Sequence, residues 1–143
     1  WQNGKKIVIF GGTDGGVGSQ GLLSDVWIFA LESRSWSQAV IDADREAPKA
    51  RRGATGWVDG NLFFLFGGYI SDGAEYFDHR TWVLDLVLGT WSIQAYGEIE
   101  IASSPARQLT DSRFVLEVAL SATALVGREL FFFGGCIPQR SFN

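Results

Sequence analysis

Apolar residues in this chain occur in short runs, and three of these runs are versions of one motif. Residues 4–12, 60–68 and 127–135 each consist of a glycine, six residues that end in phenylalanine, and a Gly-Gly pair. The runs have the length of a β-strand, and residues 62–66 contain only apolar side chains. The pattern predicts a strand in each copy, and for residues 62–66 it predicts burial on both faces of a sheet.

A second motif follows the first two glycine pairs. It combines a segment rich in β-forming residues with a later tryptophan, so that Trp27 and Trp36 correspond to Trp82 and Trp91. Both pairs are nine residues apart, and both repeat after 55 residues. A repeat of this length is typical of a supersecondary unit that stacks on its neighbours. The two β-forming segments are residues 25–31 and 81–86.

Each repeat is predicted to be a meander of four antiparallel strands. Asp59-Gly60 and Gly89 supply the tight turns of the second repeat, because these residue types tolerate a positive φ. The predicted strands of that repeat are residues 52–58, 62–66, 81–86 and a segment around Trp91.

This pattern divides the whole chain into one complete and two partial units. Residues 1–40 would supply strands two to four of one unit, residues 52–93 a complete unit, and residues 116–143 strands one and two of a third. The chain also begins with Trp1 rather than methionine. We therefore expect it to be a piece of a longer protein.

Composition narrows the class of partner. The net charge is −4 and no block of basic residues occurs, which argues against nucleic acid or an anionic membrane surface as a partner. One cysteine, Cys136, and one histidine, His79, are too few for an internal disulfide or a Cys/His zinc site. We therefore expect no metal or other cofactor, and a reducing compartment such as the cytoplasm is favoured over secretion.

Taken together, these motifs resemble the kelch repeat. The hydrophobic strand that ends in Gly-Gly, the Asp-Val-Trp strand that begins at Asp25 and the later tryptophan carry the resemblance, and Pro48 and Pro105 precede similar arginine-containing segments. The chain departs from the family at Ala54, where many members have histidine, and at Leu120, which replaces a glycine. The resemblance implies an all-β fold of β-propeller blades, in this case an incomplete propeller, because about four to eight blades close a ring.

The repeated glycines and tryptophans are interpreted as architecture. Glycine pairs that end a strand allow a positive φ or close approach of a neighbouring backbone, and large indole rings pack between adjacent sheets. The residues assigned this role are Gly11, Gly12, Trp27, Trp36, Gly67, Gly68, Trp82, Trp91, Gly134 and Gly135.

Residues 16–21 also fit the dinucleotide-binding pattern G-x-G-x-x-G, with Asp42 and Asp44 about twenty residues further on. Such a site needs a helix at the end of the glycine loop. Residues 25–31 align instead with the β-forming residues 81–86. We therefore interpret the match as accidental.

Antiparallel order predicts which connections carry function. The 1–2 and 3–4 turns lie at one end of each meander, and the longer 2–3 and 4–1 connections lie at the other, where variable loops are held by a rigid scaffold. These long connections are residues 13–24, 41–51, 69–80 and 94–117. Their aromatic and charged side chains are the candidate binding residues: Arg51, Arg52, Tyr69, Asp72, Tyr76, Phe77, His79, Arg80, Arg107 and Arg113.

Two alternatives stay open for this surface. Tyr76 or Phe77 can instead fold back on the sheet, with the charges simply solvated, and His79 is a surface residue rather than a base because no nucleophile accompanies it. We predict a protein-interaction scaffold without catalytic residues. The alternative is the propeller segment of an enzyme, either glycan-processing or similar to the copper enzyme galactose oxidase, whose catalytic residues lie outside this chain.

Overall fold

The computed structural model describes residues 5–16, 21–71, 75–78, 80–94, 119–126 and 129–136. Within these ranges every regular element is a β-strand, which confirms the predicted all-β class. The same residues include no helix with the length and apolarity needed to cross a bilayer. The strands are β1 (Lys6–Thr13), β2 (Leu22–Ala30), β3 (Ser35–Gln38), β4 (Thr55–Asp59), β5 (Leu62–Phe66), β6 (Tyr69–Ser71), β7 (Glu75–Phe77), β8 (Thr81–Asp85), β9 (Thr90–Gln94), β10 (Ala119–Val126) and β11 (Glu129–Cys136).

The strands form two meanders and two hairpins, all antiparallel. The first sheet has the order β1-β2-β3 and the second sheet the order β4-β5-β8-β9, while β6 pairs with β7 and β10 pairs with β11. The β6–β7 hairpin is therefore an insertion between two neighbouring strands of the second sheet. The strand predicted over residues 52–58 begins only at Thr55, because Arg52 pairs with Tyr69 in a separate antiparallel bridge.

The turn between β8 and β9 depends on local chemistry. The Asp85 carboxylate accepts hydrogen bonds from the backbone N–H groups of Val87 and Leu88 at 2.8 and 3.0 Å. Gly89 closes the turn with a φ of 69°. A Cβ at this glycine would also collide with the carbonyl oxygen of Val40, so both conformation and space require glycine here.

The register of the second sheet gives it one fully buried face. Phe63 pairs with Leu84, and Leu65 pairs with Trp82; all four side chains are inaccessible to solvent. The prediction that residues 62–66 are buried on both faces is wrong, because Leu62 is 39% exposed and its neighbours on that face are only partly buried. The first sheet covers one face of the second sheet, and this face holds the core.

Aromatic contacts join the two sheets. Val8, Phe10 and Val26 of the first sheet share one core with the buried face of the second sheet. The Trp91 ring lies edge-on to Phe10 across the interface, with centroids 5.7 Å apart, and 6.4 Å from the Trp82 ring within its own sheet. Sheet-on-sheet packing of this kind removes the interior faces from water.

Equivalent tryptophans of the two repeats differ in burial. Trp82 and Trp91 are 0% and 5% exposed, whereas Trp27 and Trp36 are 37% and 50% exposed. The latter two project from the face of the first sheet opposite Val8, as the alternation of side chains along β2 requires. The burial of a repeated residue therefore depends on whether a neighbouring sheet covers its face.

This difference predicts unequal effects of one substitution at equivalent positions. Trp91→Ala should lower the free energy of unfolding by about 3–5 kcal/mol, because it leaves a cavity at the interface between the sheets. Trp36→Ala should lower it by roughly 1 kcal/mol or less, since half of that ring already contacts water. Urea unfolding followed by circular dichroism measures both values, and equal losses would contradict this account of the core.

Candidate functional site

The strand register defines two ends of the sheets. In the second sheet Leu62 pairs with Asp85 beside the tight turns, and Phe66 pairs with Thr81 at the opposite end. The first sheet has the same arrangement, with its short turn next to Ala30. We call these the turn end and the loop end. The loop end carries the segment between β1 and β2 and the segment between β5 and β8.

The connector between β3 and β4, residues 39–54, touches both ends. The N–H of Asp42 donates to the Gly89 carbonyl at the turn end, at 2.9 Å. Further along, the Glu46 carboxylate accepts a hydrogen bond from Arg80 at 2.9 Å, beside the start of β8. The prediction that all of residues 41–51 lie at the loop end is wrong for the start of this segment, because Asp42 contacts Gly89 at the turn end.

Arg51, a predicted binding residue, is completely buried. Its guanidinium donates to the Gly67 carbonyl and to the Asp78 carboxylate, each at 3.0 Å, and its Nε donates to the Lys49 carbonyl at 2.9 Å. The planar fork of arginine suits several fixed acceptors at once. In this structure the side chain of Arg51 therefore faces the interior of the loop end and not the solvent.

Asp78 is the acceptor on which these contacts converge. The carboxylate is 5% exposed and accepts hydrogen bonds from Arg51, from the Trp82 indole at 2.7 Å, and from the backbone N–H and guanidinium of Arg80 at 3.1 and 2.9 Å. The Arg80 guanidinium also lies 4.6 Å from the centroid of the Trp82 ring. We call Arg51, Asp78, Arg80 and Trp82 the Asp78 cluster.

The cluster determines the charge of Asp78. Burial on its own would raise the pKa of this carboxyl. The hydrogen bonds from Arg80, Trp82 and Arg51 outweigh burial and hold the pKa well below its usual range. Asp78 is therefore ionised at neutral pH, and its charge is balanced inside the fold.

Asp78 is not among the binding residues predicted from the sequence. No repeated pattern marks it, because Leu23 occupies the equivalent position, 55 residues earlier. In the first sheet the indole of Trp27 instead donates to Asp25, at 2.6 Å. One feature of the sequence does point to Asp78. It lies four residues before Trp82, and the N–H of a buried indole must find an acceptor.

Arg52 and Tyr69 form a second contact at the loop end, beside the Asp78 cluster. Their backbones exchange two hydrogen bonds, at 2.8 and 3.2 Å, and the guanidinium of Arg52 lies 4.9 Å from the centroid of the Tyr69 ring. Arg52 is exposed and Tyr69 half-buried. The β6–β7 hairpin places Phe77 opposite Tyr69 and Tyr76 opposite Ile70. Arg52 and the hairpin thus lie together at the loop end.

Four of the predicted binding residues lie outside the described residues; they are Asp72, His79, Arg107 and Arg113. Among the residues that the structure does describe, no group of three His, Cys, Asp or Glu side chains is placed to hold a metal ion. The G-x-G-x-x-G match is followed directly by strand β2 from Leu22 and not by the helix that a dinucleotide site requires. The strand predicted for residues 25–31 is therefore confirmed up to Ala30, where a dinucleotide site would have a helix.

The buried charge of Asp78 makes a pH-dependent contribution to stability. A carboxyl whose pKa is lowered by folding contributes fully above its unfolded pKa of about 3.9, and the contribution is lost as the pH falls below that value. Asp78→Asn should lower the free energy of unfolding at pH 7 by about 3–5 kcal/mol, because Arg51 loses its charged partner. The deficit relative to wild type should shrink as the pH falls below about 4.

Urea unfolding at a series of pH values measures this deficit. Asp59→Asn removes the same charge from an exposed position and serves as the control. A deficit of Asp78→Asn that stays constant from pH 7 to pH 3 would show that the carboxylate charge has no part in stability.

Comparison with known proteins agrees with the repeats and the sheets. Residues 1–109 match the model of the KLHDC2/KLHL20/DRC7 Kelch-repeats domain. The chain is 30% identical over 145 aligned residues to Adagio-like protein 3 of Oryza sativa subsp. japonica, which covers 100% of this chain and 20% of that protein. It is 28% identical over 114 residues to the dynein alpha chain of the flagellar outer arm of Chlamydomonas reinhardtii, covering 80% of this chain and 2% of the dynein.

The chain thus spans a fifth or less of these two curated relatives. The family match extends over the glycine pairs, the tryptophans and the arginine-containing connector of the first two repeats. The chain therefore belongs to the kelch-repeat family.

Proposed function

We propose that this chain is a protein-interaction scaffold that binds its partner through the loop end of its sheets. Kelch-repeat domains are generally protein-interaction modules and are typically non-catalytic. We propose the same for this chain, with no catalytic residue of its own.

The observation that carries the proposal is that exposed residues of the loop end lie on a buried and hydrogen-bonded base. Arg52 pairs with Tyr69 of the β6–β7 hairpin and directly follows Arg51, which is buried and whose side chain donates to Lys49, Gly67 and Asp78. An exposed arginine beside a half-buried tyrosine, both on a fixed base, loses little conformational freedom on binding, which favours affinity. A partner segment with acidic and aromatic side chains would complement this surface.

Of the candidate residues, Arg51 is proposed to support the surface rather than contact the partner. Arg80 has a mixed role in this proposal, because its guanidinium is bonded to Asp78 and Glu46 while part of the side chain remains exposed. The proposed contact residues are Arg52, Tyr69, Asp72, Tyr76, Phe77, His79, Arg80, Arg107 and Arg113.

We also propose that each sheet is one propeller blade, with residues 1–40, 52–93 and 116–143 as successive blade segments. The covered face of the second sheet supports this division, because its tryptophans are buried by the sheet before it. On the same reasoning, another blade would cover the face of the first sheet that carries Trp27 and Trp36.

A comparison of chain lengths tests this division. In a longer chain that contains further repeats, the fluorescence of Trp36 should be quenched by acrylamide several-fold less than in residues 1–143, because its exposed half would be buried. A Trp36→Phe variant of each chain isolates the contribution of this ring by difference. Equal quenching in the two chains would contradict the proposed covering blade.

Charge reversal at the loop end tests the binding proposal. Arg52→Glu keeps the backbone bridge to Tyr69 but reverses the exposed charge, and it should reduce capture of partner proteins about 10-fold or more. Capture is measured by quantitative mass spectrometry after incubation of the tagged chain with an extract of its source cells.

Lys5→Glu is the matched control for this experiment. Lys5 is at the turn end, and its 3.9 Å contact with Glu32 is exposed on both sides and contributes little to stability. The proposal expects capture by Lys5→Glu to equal that of wild type, with both variants as stable as wild type to urea. Undiminished capture by Arg52→Glu, or equal loss in the two variants, would contradict a binding surface at the loop end.

A further inference from the structure

Arg51 is bonded to both sheets at once. Through its backbone it donates to the Leu23 carbonyl at 3.0 Å and accepts from the N–H of Gly12 at 2.9 Å, and both of these residues are in the first sheet. Through its side chain it bonds Gly67 and Asp78 of the second sheet's loop end. One residue therefore connects the two segments that follow the Gly-Gly motif in successive repeats.

The contact between Arg51 and the first sheet is tightly packed. A Cβ placed on Gly11 would lie 2.5 Å from the Arg51 carbonyl oxygen and 2.7 Å from that of Leu23. Gly12 is different, since a Cβ there would meet no atom within 4 Å. The backbone of the first sheet at Gly11 therefore determines where the backbone of Arg51 can lie.

The contact between Arg51 and the second sheet is energetically costly to break. Displacement of the Arg51 side chain would leave a buried carboxylate and the buried Gly67 carbonyl with lost donors, which is costly in a low-dielectric interior. Asp78 also holds the backbone N–H of Arg80, just before β8. A shift of Arg51 would thus reach both ends of residues 67–80, and through the adjacent Arg52 it would reach Tyr69.

We infer that Arg51 couples the loop ends of adjacent sheets, so that a backbone shift at Gly11 alters the order of the backbone at Tyr69 and Arg80, and loss of the Arg51 side-chain bonds alters the order of the backbone at Gly12. The coupling is a contiguous chain of hydrogen bonds and close contacts, and by thermodynamic linkage it acts in both directions. Its consequence for partner binding rests on the proposed function, but the coupling itself is a property of the chain alone.

Amide hydrogen exchange measured by NMR tests the coupling from the first sheet. Gly11→Ala should accelerate exchange of the Tyr69 and Arg80 amides about 10-fold or more, because both depend on the position of Arg51. Gly60→Ala is the control, since it replaces a glycine of nearly the same positive φ (56° against 59° at Gly11) at the turn end, where a Cβ would meet no atom within 4 Å. It should change these rates less than about 3-fold. Amides in the centre of β5 exchange through global unfolding and serve as the reference for overall stability.

Coupling in the reverse direction, from the second sheet to the first, is tested with Arg51→Met, which keeps the backbone contacts but removes the guanidinium. It should accelerate exchange of the Gly12 amide. Arg45→Met also removes an arginine from an aspartate, Asp42, but at an exposed position outside the Asp78 cluster, and it should leave the Gly12 amide unchanged. Unchanged Tyr69 and Arg80 amides in Gly11→Ala, or equal acceleration of Gly12 in both arginine variants, would overturn the inference. Should Gly11→Ala not fold, the two arginine variants decide alone.

The two tests fail independently. No partner is present in the exchange experiment, so a negative capture result leaves the coupling unaffected. Capture lost in Arg52→Glu without any coupling between amides would support the binding surface and overturn the coupling.

Discussion

The packing of the second sheet on the first is the interaction on which the rest of this structure depends. A meander with one apolar face is not stable in water until another layer covers that face. Here Val8, Phe10 and Val26 provide the cover, and Trp91 makes an edge-on contact across the interface. The aromatic contact fixes the relative position of two sheets that share no strand-to-strand hydrogen bonds in the described residues.

The packing of the two sheets determines how Arg51 is held where the connector passes from one sheet to the other. Once the sheets are packed, the backbone of Arg51 lies against the first sheet and its side chain enters the second. A buried ion pair adds little net stability compared with apolar packing, but it is costly to break and permits few geometries. We therefore interpret the Asp78 cluster as a set of contacts that positions the loop end. The free-energy cost of burying its charges is offset by the apolar interface between the two sheets.

The repeats show how far equivalence of sequence extends. Trp27 and Trp82 occupy the same position in their repeats, and each indole N–H finds a carboxylate, but the carboxylates belong to different positions, Asp25 and Asp78. The sheet scaffold repeats, whereas the polar contacts at the loop end do not. Variable contacts on a constant framework are typical of loops held by a rigid scaffold.

The sequence by itself determined the strands of the two meanders, their tight turns and the all-β class, because side-chain alternation and the φ demands of Gly60 and Gly89 act between near neighbours. It also selected the arginines at the loop end. It did not predict the β6–β7 hairpin, which lies in a segment expected to be a loop. Only the tertiary structure decided that Arg51 is buried while the adjacent Arg52 is exposed, since successive residues of an extended chain point in opposite directions, and the acceptors that choose between them, Gly67 and Asp78, are 16 and 27 residues away in the chain.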